Sequence, residues 1–295
     1  MNWQLSITGL LIGALVGLTG MGGGSLMTPI LILVFGFKPT LAVGTDILHG
    51  AIFKSFGAVR HRRLGTVHAR LTFWMFLGSA PLSLLGVEVG DWLEERYGSG
   101  VESLSAKVIG AALILGGLGF LAKTFVKRGV QPSDAPLLLT NRQRVICLAL
   151  GASGGFIVGL TSVGSGTFFG LVMLLVFPLT AAKIVGTDIF HAAALLWVAG
   201  ISHLLHGNVD VSAMAWLLLG SIPGVLLGSK LTVRLPDGAL RVGLGAVLTA
   251  SGVRLLEVPG YEILVPVILV GGGVLAAVTE VRRIRAGVLP GPTDF

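Results

Sequence analysis

Apolar residues fill the chain in long blocks separated by short polar loops: 4–36, 40–59, 71–90, 105–122, 145–179, 182–205, 211–229, 239–256 and 261–280. Seven blocks are near one bilayer thickness, about 20 residues of α-helix. The other two, 4–36 and 145–179, are much longer, and each holds a glycine cluster near its middle. As one continuous helix either would measure roughly 45–50 Å, far more than the hydrocarbon core. Each long block therefore predicts a pair of half-helices, about 14 residues each, folded back at the glycines.

The pattern repeats. Residues 17–86 align with residues 159–228 without a gap. Gly17, Leu18, Thr19, Gly22 and Gly24 match Gly159, Leu160, Thr161, Gly164 and Gly166. Val43 to Ile47 and His49 match Val185 to Ile189 and His191, and His61, Gly65 and Val67 match His203, Gly207 and Val209. Trp74, Gly78, Ser79 and Pro81 match Trp216, Gly220, Ser221 and Pro223. Shared apolar composition does not produce matched His, Asp and Pro at one fixed offset. Duplicated helical units of this kind are typical of secondary transporters.

Loop charges orient the copies. Arg60, Arg62, Arg63 and Arg70 mark one loop as cytoplasmic, and Glu88, Asp91, Glu94, Glu95 and Glu102 then fall outside. Lys123, Lys127, Arg128, Arg142 and Arg144 return the linker to the inside. Counting back from Lys230, Arg234, Arg241 and the Arg282, Arg283, Arg285 tail places the His203–Asp210 loop outside, opposite to its repeat partner around Arg60. The copies are therefore expected to be inverted. The expected fold is an all-α integral membrane protein with about seven full spans and two re-entrant hairpins, its N-terminus outside and its C-terminus inside the cytoplasmic membrane. Residues 1–125 form the first repeat, 126–142 a cytoplasmic linker, 143–256 the second repeat, and 257–295 an extra span and tail.

Composition agrees. Of the 295 residues 53% are hydrophobic and 12% charged, too few charges for a surface facing water all round. The net charge of +7 resides in short loops, which reads as topology and not as nucleic-acid binding. One cysteine, Cys147, excludes an internal disulfide and a cysteine-based metal cluster, and no cofactor is implied. The N-terminal apolar block is too long, and lacks the basic start, for a cleavable signal peptide.

Three features carry chemistry. The first is the pair of glycine breaks, with Gly22, Gly23, Gly24, Ser25 and Thr28 in one copy and Ser162, Gly164, Ser165, Gly166 and Thr167 in the other. Unwound backbone at membrane depth is tolerated where it is buried in protein or lines a cavity. A half-helix starting at Ser25 or Thr167 presents free N–H groups and a positive dipole end, which suits an anion. The alternative is a tight helix crossing through small residues. The second is Gly-Thr-Asp-x-x-His, with Thr45, Asp46 and His49, and again Thr187, Asp188 and His191. Asp and His three apart share a helix face, and intramembrane ionisable groups mark ion or proton paths. The pair either carries a proton or is structural, Asp capping unwound backbone and His bridging helices. The third is a set of lone groups. Lys54, late in its span, either snorkels to the cytoplasm or serves as a ligand, Lys183 marks topology, and Trp74 and Trp216 suit an interfacial belt. His61, His203 and His206 are read as loop residues.

These features together resemble the sulfite exporter TauE/SafE family over about residues 5–280. The resemblance rests on the paired glycine breaks, the Gly-Thr-x motif early in the next span, and the loop His61-Arg62-Arg63-Leu64-Gly65-Thr66-Val67, repeated as His203 to Asp210. Many members carry Ser or Asn where this chain has Asp46 and Asp188. The resemblance implies an anion carrier for sulfite, sulfoacetate or related organosulfur anions. A divalent-metal carrier using Asp46, His49, Asp188 and His191 is the rival. A membrane enzyme would need a clustered nucleophile, base and orienter, which the sequence does not suggest. The partners expected are a small anion and the bilayer, with a homo-oligomer compatible.

Overall fold

The computed structural model describes residues 2–19, 24–97, 139–162, 181–231 and 237–285, with parts of 107–122 and 169–179. The described chain is helical, as the sequence predicts. The first copy supplies α1 (Asn2–Thr19), α2 (Gly24–Leu33), α3 (Pro39–Arg63) and α4 (Ala69–Tyr97). The second supplies α5 (Asn141–Thr161), α6 (Ala181–Leu205) and α7 (Val211–Leu231), followed by α8 (Asp237–Leu255) and α9 (Tyr261–Arg285). Among the described residues, four helical segments are long and apolar enough to cross a bilayer: Ala69–Leu93, Asn141–Thr161, Gly186–Leu205 and Tyr261–Val278.

Local chemistry sets the helix ends. Pro39 opens α3, where its missing N–H costs nothing. Thr140 and Gln143 form a capping box at the start of α5. The His-x-x-x-Gly-x-Val motif is a helix stop. Gly65 (φ 68°) and Gly207 (φ 77°) adopt the left-handed conformation that glycine reaches without strain. The Thr66 and Asn208 amides then donate back to the His61 and His203 carbonyls at 3.2 and 2.9 Å, the Schellman closure.

The two copies clasp each other. α1 lies along α7 and α4 along α5, so the first helix of each copy pairs with the last of the other. Glycines allow the close approach. A Cβ on Gly13 would strike the backbone of Ser221, and one on Gly155 that of Ser79, the same contact in the two copies. Ser6 Oγ donates to the Trp216 carbonyl, and Gly13 meets Ser221 further along, so α1 and α7 run the same way. Gly78 meets Leu148 and Gly86 meets Phe156, so α4 and α5 do likewise.

The central pair differs. Gly44 faces His203, Gly50 faces Leu196 and Gly57 faces Ile189, so α3 and α6 are antiparallel. Because α3 and α6 are the same helix of the two copies, this contact shows the copies running in opposite directions. A second consequence concerns the long blocks. α4 runs with α5, and its links from His68 to Thr187 and from Ser79 to His191 show that it also runs with α6. Successive helices α5 and α6 therefore point the same way, the geometry a folded-back block requires. Its arms are not equal halves, however. α1 has 18 residues and α5 has 21, against 10 in α2. The sequence expectation of about 14 apiece fails because the first arms need length to bury their glycine faces along α7 and α4.

The described residues of 107–122 are helical and lean on α8, Gly110 beside Gly252 and Gly117 beside Thr249. α9 meets the rest at α8, where Gly272 faces Ala246, and leaves Ile263, Val267 and Val270 exposed.

Candidate functional site

The antiparallel crossing of α3 and α6 brings both Gly-Thr-Asp-x-x-His motifs into the buried centre. Thr45, Asp46, His49, Thr187, Asp188 and His191 are all buried. Their neighbours come from the other helices of the clasp.

Asp46 is held from two sides. Its Oδ2 accepts from Thr28 Oγ1 on α2 at 2.6 Å and from Ser162 Oγ at 2.8 Å. Ser162 is the C-cap of α5 and has a left-handed φ of 59°, uncommon for a residue with a side chain. It stands at the start of the second glycine break. One carboxylate thus ties the short arm of the first copy to the break of the second.

The histidines are placed reciprocally. His49 Nε2 lies 2.8 Å from Ser221 Oγ on α7, and His191 Nε2 lies 2.9 Å from Ser79 Oγ on α4. The second ring nitrogen of each, Nδ1, is buried and without a hydrogen-bond partner among the described residues. A buried ring nitrogen left without a partner costs about 1–3 kcal/mol in desolvation. The sequence expectation of Asp and His paired on one face is thus corrected for the first copy. Asp46 and His49 turn to hydroxyls on different helices, because the other copy supplies Ser162 and Ser221 within reach.

Thr45 and Thr187 serve the opposite loops. Thr45 Oγ1 accepts from the Asp210 amide and Thr187 Oγ1 from the His68 amide, both at 2.9 Å. One fastens the start of α7 to the start of α3, the other the start of α4 to the start of α6.

Lys54 is the residue the sequence reading misplaced. It does not snorkel to a surface. It is 4% exposed and feels the charges of both Asp188 and Asp46. Leu196 occupies its position in the second copy, so this cation breaks the symmetry. Fully ionised, the group of Asp46, Asp188 and Lys54 carries one net negative charge inside apolar protein. A single proton or other monovalent cation would neutralise it. His203 is also corrected: it lies in the last turn of α6, buried, with Nε2 3.0 Å from the Gly159 carbonyl.

Of the other sequence candidates, Gly24 opens α2, and Ser25 and Thr28 follow on its first turns. Gly22, Gly23, Gly164, Ser165, Gly166 and Thr167 lie outside the described residues. Ser79 and Ser221 were legible as repeat matches beside Pro81 and Pro223, but nothing in the sequence ties them to the histidines.

Comparison with known proteins places the chain among membrane transporters. A probable membrane transporter protein, YjnA, of Bacillus subtilis (strain 168) is 38% identical over 256 residues, covering 87% of this chain and all of the relative. The probable membrane transporter protein YdhB of the same organism is 24% identical over 246 residues, 83% of this chain and 96% of the relative. A probable membrane transporter protein of Xylella fastidiosa (strain Temecula1 / ATCC 700964) is 24% identical over 232 residues, 77% of this chain and 84% of the relative. No solved structure matches the chain. The family model for the sulfite exporter TauE/SafE matches residues 5–255, and the chain belongs to that family of membrane transporters.

Proposed function

We propose that this transporter carries a small oxyanion, sulfite or an organosulfonate such as sulfoacetate, by alternating access, with one proton moving alongside. The observation that supports it most is the buried charge group on the antiparallel α3–α6 pair, with two carboxylates, one ammonium and two histidines each bridged to a serine of the other copy. An anion has two attractions there: the positive end of α2 at Gly24 and the ammonium of Lys54. It also meets two carboxylates, which repel it unless a proton sits between them. Moving one uncompensated charge across 100 mV costs about 2.3 kcal/mol, and a proton travelling with a monoanion removes that cost. Reciprocal serine bridges give two equivalent arrangements, which is what alternating access between inverted copies needs. In this reading the protein sits in the cytoplasmic membrane with its N-terminus outside. In the same reading residues 257–295, which follow the stretch matched by the family model, add a span and a tail to the two repeats.

The test is flux in proteoliposomes with the pH gradient and voltage clamped separately, using sulfite, sulfoacetate and a divalent transition metal as parallel substrates. Anion flux should follow the pH gradient, and Asp46→Asn or Asp188→Asn should remove that response. Flux indifferent to the gradient in the unmutated protein, or metal flux without anion flux, overturns the reading.

A further inference from the structure

α3 and α6 do not close against each other along their whole length. On the side away from the buried charges they leave an open groove of about 550 Å³. Its walls are Val59 from α3 and Phe190, Ala194 and Trp197 from α6, and its mouth holds Arg62 and Arg63 in the last turn of α3. Trp197 Nε1 donates to Ser55 Oγ at 3.0 Å, so the one indole donor in the groove is already used and the wall presented is apolar. The Arg62 guanidinium lies 6.0 Å from the Phe190 ring centroid, at the boundary between apolar wall and basic mouth.

We propose that this groove binds one anionic phospholipid, with an acyl chain against Phe190, Ala194 and Trp197 and the headgroup phosphate at Arg62 and Arg63. Three observations carry it. The groove runs from the C-terminal end of α3 to the middle of α6 and opens sideways, with Val59 and Trp197 52% and 40% exposed, so in a bilayer its walls would face hydrocarbon. Its open volume of about 550 Å³ leaves room for an acyl chain along the apolar walls. The cations stand at the end of the helix, where a phosphate sits, and a bidentate guanidinium matches phosphate geometry. The fold itself does not demand them, since Leu204 and Leu205 fill the equivalent positions at the end of α6. General topology rules ask for basic residues in this loop, and Arg60 and Arg70 already answer that. A basic pocket between spans is a known habitat of acidic headgroups. The lipid would lie between corresponding helices of the two copies, where it bears on their relative movement.

Trp197 provides the readout. The full chain is reconstituted in phosphatidylcholine vesicles containing a minor fraction of brominated phosphatidylglycerol or brominated phosphatidylcholine. The Trp197 contribution is taken as the difference from Trp197→Phe. Brominated phosphatidylglycerol should quench it severalfold more effectively than brominated phosphatidylcholine at equal mole fraction. Arg62→Gln with Arg63→Gln should bring the two lipids level, while Ala194→Leu, which fills the groove, should weaken quenching by both. Millimolar inorganic phosphate should leave the preference intact. Equal quenching by the two lipids in the unmutated protein overturns the proposal, since it describes annular contact. So does a preference that survives the double arginine variant, or one abolished by inorganic phosphate, which would place a soluble anion at the mouth.

Discussion

At the scale of single residues, this protein departs from its own symmetry at one buried cation. Lys54 faces two buried aspartates while its counterpart Leu196 is apolar. Removing one partner of a buried charge group typically costs about 3–5 kcal/mol, because the remaining charge is left in a poor solvent. Lys54→Met should therefore lower the midpoint of thermal unfolding strongly. Adding Asp188→Asn to it should recover much of the loss. Detergent-solubilised protein followed by intrinsic fluorescence gives the double-mutant cycle, and additive losses would show that the two groups do not interact. His206 offers a second residue-scale test, outside the spans. Its Nδ1 donates to the Ser202 carbonyl at 2.8 Å, and its Nε2 lies 3.2 Å from Glu88 and 3.8 Å from Asp91. That hydrogen bond first, and the carboxylates after it, raise its pKa above the ordinary 6.5. A raised folded-state pKa stabilises the loop fully below pH 6.5 and loses that effect as pH rises through the folded value. Hydrogen exchange in the 206–210 loop, corrected for intrinsic rates, should quicken as pH rises past 6.5 and through the raised folded value, and His206→Gln should abolish the change.

Close backbone contact at glycines joins the elements of the clasp. Lipid is as apolar as leucine, so burying apolar surface does not by itself drive helices together in a bilayer. Small residues let backbones meet, and Gly13 against Ser221 and Gly155 against Ser79 are the two matched cases. The same serines hold His49 and His191. A branched side chain at either glycine pushes the helices apart and breaks the serine bridge in the same stroke. Gly155→Val should destabilise the protein by about 1–3 kcal/mol, the usual range for overpacking. It should also slow transport more than Gly243→Val, a substitution in α8 whose Cβ meets open space. Comparing both variants by thermal unfolding and flux checks this. Equal behaviour would mean that the contact is incidental.

For the whole molecule, the arrangement to test is sidedness. Contacts between α3 and α6 show the copies antiparallel, and loop charge assigns which end is cytoplasmic. Cysteines placed at Arg63 and Asn208, in a Cys147→Ala background, should be labelled by an impermeant maleimide from opposite faces of oriented vesicles. Labelling of both from one face would overturn the inversion. What the sequence by itself determined is what periodicity, composition and duplication encode: a helical membrane chain, two copies, broken long blocks, and the Gly-Thr-Asp-x-x-His and Ser-x-Pro matches. Each of these is a local property, or a comparison of one stretch with another. Tertiary structure alone decided the rest. It set unequal arms at the breaks, because helix length answers to a partner helix. It gave Asp46 to Thr28 and Ser162, and His49 to Ser221, because the clasp brings in residues from the other copy. It buried Lys54, which from its place late in a span reads as a snorkelling side chain, because α6 crosses there and turns Asp188 towards the same interior. The period of a helix says which residues share a face; which face meets which is fixed only when the helices cross.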